Sequence, residues 1–99
     1  MEDKKSSEIK IEIDEQTANG IYSNLAVISH SESEFVMDFI FFHPQNPKNK
    51  VRARIITSPA HAKKMMLALK DNVAKFESKF GEIKEAALPI PKAKTEYYN

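Results

Sequence analysis

Apolar positions recur along this chain at two spacings, and the switch between them divides it into elements. Residues 8–14, EIKIEID, alternate strictly, with Ile9, Ile11 and Ile13 on one side and Glu8, Lys10, Glu12 and Asp14 on the other. Strand side chains point alternately to two faces, so this pattern predicts a half-buried strand at a sheet edge, where outward charges discourage stray pairing. Residues 15–20 carry turn signals ending in Asn19-Gly20. A second strand is expected over residues 21–30, whose centre, Leu25-Ala26-Val27-Ile28, is apolar on both sides. Ser31-Glu32-Ser33 is a polar break that fits a hairpin into residues 34–42, EFVMDFIFF. Two prolines in residues 43–49, HPQNPKN, forbid regular pairing and predict a longer loop. Residues 50–57 alternate again, with Val51, Ala53 and Ile55 against Arg52, Arg54 and Ile56.

The spacing then changes to that of a helix. Ser58 is a good N-cap, and Pro59 suits the first helical position, where its missing N–H has no partner to lose. Gly81 supplies the stop. Between them Ala62, Met66, Leu69, Val73, Phe76 and Phe80 recur at intervals of three and four and form one apolar seam. A helix over residues 59–80 spans on the order of 33 Å, enough to lie across a sheet. Fewer than four heptads are present, so packing of the seam on the strands is expected in preference to a coiled coil.

These elements predict an α+β fold: a four-stranded, mainly antiparallel sheet at residues 8–14, 21–30, 34–42 and 50–57, with one long C-terminal helix packed on one face. Residues 1–7 are read as a mobile N-terminal segment, residues 8–81 as a single domain, and residues 82–99 as a tail containing Pro89 and Pro91, with Leu88 to Pro91 its docking part. The strand at 34–42 organises the rest. Phe35, Met37, Phe39 and Phe41 fall on one side and Val36, Asp38, Ile40 and Phe42 on the other, so both sides are greasy. Each side needs a cover, and one helix covers one side. Another copy of the chain is the expected second cover, through Val36, Ile40, Phe42 and Ile56. If residues 50–57 pair with this strand, Asp38 comes beside Arg52 or Arg54.

Composition narrows the function classes. Ninety-nine residues make one modest core, for which oligomerisation is a common remedy. Apolar residues at 41% and charged residues at 29% describe a soluble globular chain. The formal net charge of +1 argues against a binder driven by phosphate contacts. The chain has no cysteine, which excludes disulfides, thiolate catalysis and cysteine-ligated metal sites. No apolar run approaches the roughly 20 residues of a membrane helix, so no membrane partner is expected and a cytoplasmic location follows by default.

Candidate chemistry is sparse. His30, His43 and His61 show no metal-binding spacing and accompany no nucleophile motif, so no catalytic, cofactor or metal residue is assigned and the chain is expected not to be an enzyme. Lys48, Lys50, Arg52 and Arg54 form a local basic cluster. Such a patch holds nucleic-acid phosphates when a reading motif accompanies it, and here none does. The plainer reading is a solvated strand face. Two functions are therefore carried: a homo-oligomeric binding or scaffold protein with a protein or peptide partner, and, as the alternative, a nucleic-acid-associated regulator using the basic patch.

The stretch from GIYSNLAVISHSESEFVMDFIFF through KVRARIITSPAHAKKMMLALKDNVAKFESKFG resembles a family of short bacterial proteins known as a domain of unknown function. Tyr22-Ser23-Asn24 and the SPAHAK segment carry that resemblance best. It implies no activity and transfers no catalytic residue. The order of strands followed by a long helix is also similar to the SecB-type export-chaperone fold, an analogy of topology that implies oligomers and fixes no function.

Overall fold

The computed structural model describes residues 8–84. The expectations for residues 1–7, and for the tail beyond residue 84 with its Leu88 to Pro91 docking segment, lie outside the described residues. In chain order the elements are α1 (Glu15–Asn19), β1 (Leu25–His30), β2 (Phe35–Ile40), β3 (Val51–Thr57) and α2 (Pro59–Phe80).

The sheet is antiparallel with β2 in the centre, in the order β1-β2-β3. Among the described residues it has three strands. Residues 8–14 join none of them, which corrects the expected fourth strand. Their alternation states that one side wants cover, but nothing local obliges that cover to come from the same chain. Ile9, Ile11 and Ile13 stand 76%, 82% and 65% exposed. The turn expected after them contains α1, a single capped turn of helix: the Asp14 carboxylate accepts a hydrogen bond from the Thr17 N–H at 2.8 Å. Gly20 ends it at φ 77°, a backbone conformation in which a Cβ would be strained.

Register places Val27 opposite Asp38 and Asp38 opposite Arg54, while Ile28, Met37 and Ile55 line the other face. Among the described residues Met37 and Ile40 are the buried apolar ones, and Asp38 is buried with them. A register shift between Phe39 and Ile40 takes the pairing from Ala53 to Val51 and leaves Arg52 as the extra residue of a bulge. Serine and asparagine side chains make the connections. Ser31 Oγ accepts from the N–H groups of Ser33 and Glu34 in the hairpin turn. In the second loop the Asn49 side chain accepts from the His43 N–H and donates to the Asn46 carbonyl.

The bounds of α2 are those its caps predict. Ser58 Oγ accepts from the His61 N–H at 3.1 Å, Pro59 occupies the first position, and Gly81 ends the helix at φ 101°. Its packing differs from expectation. None of its residues is buried, so the seam does not form a core with the sheet. Only Ala62 and Met65, near the point where the helix leaves β3, and Glu77 near its far end are half-buried. No helix among the described residues is long and apolar enough to cross a membrane.

Candidate functional site

The best-formed polar arrangement is on β2 and β3. Arg54 Nε donates to Asp38 Oδ1 at 2.7 Å and Nη2 donates to Oδ2 at 2.9 Å, a bidentate fork on directly opposed residues. The aspartate side chain is 3% exposed and the arginine side chain 43%. A carboxylate at the centre of a sheet is costly unless paired, and the opposed guanidinium supplies a pair. This is a fastening between strands. It also commits one of the four cations of the expected basic patch. Lys48 and Lys50 lie in the loop before β3, Lys48 with its N–H donating to the Asn46 side chain, and Arg52 sits exposed at the bulge.

The four expected interface residues are not equivalent. Ile40 is 7% exposed, Val36 and Phe42 are half-buried, and Ile56 is 54% exposed. The middle of the β2 face is therefore already shielded within the chain, and the open apolar surface lies elsewhere. It lies first on α2. Met66, Leu69, Val73, Phe76 and Phe80 are 54%, 64%, 37%, 48% and 67% exposed. Phe76 and Phe80 touch at a centroid distance of 4.9 Å, and the Lys79 ammonium lies 5.4 Å from the Phe80 ring centre.

The histidines are spread over the fold. His30 stacks on Phe35 at one end of β2, with ring centroids 5.3 Å apart, and His43 leans on Phe41 beyond the other end at 4.7 Å. His61 is in the first turn of α2. No group of three histidine, aspartate or glutamate residues with metal-binding geometry occurs among the described residues.

Residues 21–24, expected as the start of the second strand, precede β1 and instead fasten one end of the sheet. The Asn24 side chain donates to the Phe42 carbonyl and accepts from the Phe42 N–H, standing in for one more rung of the ladder. Ser23 Oγ lies 3.0 Å from the Leu25 carbonyl oxygen and 3.1 Å from that of Ile40. Tyr22 is edge-on to Phe41 at 5.6 Å and remains 71% exposed. The signal was the phrase Tyr22-Ser23-Asn24 itself, polar residues directly ahead of an apolar strand.

A three-stranded antiparallel sheet followed by a long helix, with no buried residue in that helix, defines a small α+β domain. The family model described as protein of unknown function (DUF3467) matches residues 1–85, and the chain belongs to that family. No curated protein and no solved structure matches it, so the similarity to the SecB-type fold finds no support.

Proposed function

We propose that this is a cytoplasmic, non-enzymatic protein that works as a homo-oligomer, with α2 of one copy packed on α2 of another, and that the assembled surface binds a protein or peptide. The observation that carries this is the α2 seam: five large apolar residues at spacings of three, four, three and four, all at least 37% exposed on a helix with no buried residue. That spacing is the one two helices use to interlock. Full burial of such a side chain contributes about 1.5–3 kcal/mol, so covering the exposed half of five contributes roughly 5 kcal/mol per copy and about 10 per pair. Association costs about 4–15 kcal/mol, so the seam alone is marginal and a further contact is needed for a tight pair. The exposed Ile56 edge and the Tyr22–Phe41 pair are apolar surface left for a partner.

Mass measurement in solution tests the reading. The expected result is an oligomer at micromolar concentration that the double substitution Leu69→Glu, Phe76→Glu converts to monomer. A strict monomer in the parent chain overturns it.

A further inference from the structure

We infer that residues 8–14 form a strand in trans, pairing antiparallel with the outer edge of β3 in a second copy. The inference rests on the oligomer proposed above and deepens it by naming the segment exchanged. Three observations meet here. Residues 8–14 carry the period-two pattern of a strand, join no strand among the described residues, and leave Ile9, Ile11 and Ile13 at 76%, 82% and 65% exposure. The partner position is open: β3 is an edge strand with no neighbour on its outer side among the described residues. The segment and β3 are each seven residues long, about 23 Å at strand spacing.

Charge selects β3 over the other edge, and the length of β3 selects the direction. Residues 8–14 hold Glu8, Glu12 and Asp14 against Lys10, a net of −2, whereas β3 holds Arg52 and Arg54 with no acid. β1, at the opposite edge, holds no lysine or arginine. An antiparallel register that sets Asp14 across from Arg52, the exposed bulge residue, also sets Glu12 across from Arg54, whose guanidinium is already forked on Asp38. On the other face the same register sets Ile13, Ile11 and Ile9 across from Ala53, Ile55 and Thr57. Ile55 is 49% exposed, so this pairing covers apolar surface on both strands at once. A one-residue slip turns every isoleucine onto the charged face. The parallel alternative that keeps Ile13 beside Ala53 runs residues 8–10 past the start of β3 at Val51, where no strand edge is left to pair with them. When each copy gives its segment to the other, the contact is two-fold and closed, and it removes two open sheet edges.

The chain has no cysteine, so single introduced cysteines report the contact cleanly. Ile11→Cys and Ile55→Cys, both at exposed positions, are made in separate full-length copies carrying tags of different mass and then mixed under mild oxidation. The expected product is the mixed disulfide, in excess over either homodisulfide, with the β3 amides of the parent oligomer slowly exchanging. If the mass is oligomeric but no mixed disulfide forms, the exchange is overturned and the helix-paired oligomer stands. If a chain carrying both cysteines closes on itself at all dilutions, the segment pairs in cis and the exchange is overturned. If the parent is monomeric, both readings fall.

Discussion

The Asp38–Arg54 pair makes an unequal demand on its two members, and substitution separates them. Arg54→Met removes the bidentate partner of a carboxylate whose side chain is 3% exposed. Removing one member of a buried pair costs about 3–5 kcal/mol, because the remaining carboxylate keeps its desolvation and loses both charge-assisted bonds of the fork. Asp38→Leu leaves the guanidinium instead, on a side chain that is 43% exposed and has shed less of its hydration. The expected cost there is about 1–3 kcal/mol, the range for a polar group that loses one partner. The double variant removes both charges of the pair and is expected within about 1 kcal/mol of the parent, since apolar replacement of a buried pair is often neutral. Urea unfolding followed by circular dichroism, at one fixed protein concentration so that association does not enter, gives the four midpoints of the cycle. Equal losses in the two single variants, or additive losses in the double, would refute the reasoning.

Three further outcomes are expected. Met37→Ala deletes one of the two buried apolar side chains of the sheet and should lower stability by about 2–5 kcal/mol in the same urea assay; a loss under about 1 kcal/mol would show that this face is not the core. Ser58→Ala removes the acceptor of the His61 N–H and should cost about 1 kcal/mol with earlier fraying of the first turn of α2, read by amide exchange. Hydrogen bonds from Thr17, first from its side chain and then from its backbone, hold the Asp14 carboxyl below its ordinary value of 3.8. The lowered value means that the cap of α1 is in place above the ordinary pKa and is lost as pH falls through the folded one. A carboxyl-carbon NMR titration should place the midpoint below 3.8, and a midpoint at or above it would remove the cap.

Local physics left clear marks in the chain. The cap, the proline after it and the stop glycine bound α2 at Pro59 and Phe80, because those groups act within one helical turn of where they stand. The centre of β2 was equally legible, since its two apolar sides demand a central place whatever the neighbours are. Asp38 was expected beside Arg52 or Arg54, and register chose Arg54, with Arg52 displaced by the bulge. A bulge depends on how two strands meet, so one strand's sequence does not contain it. The five-residue α1 escaped notice for a related reason: one turn of helix is too short to show a period, and only Asp14 announced it.

Amphipathic pattern specifies that a face be covered and leaves the cover unnamed. The isoleucines of residues 8–14 and the seam of α2 both read as core, and the tertiary structure leaves both open. Alternation and helical spacing are properties of one segment, whereas burial is a property of two, and the second surface is supplied by the folded arrangement or by another chain. The chain by itself determined which side of each element avoids water. The three-dimensional arrangement decided which of those sides its own residues hide.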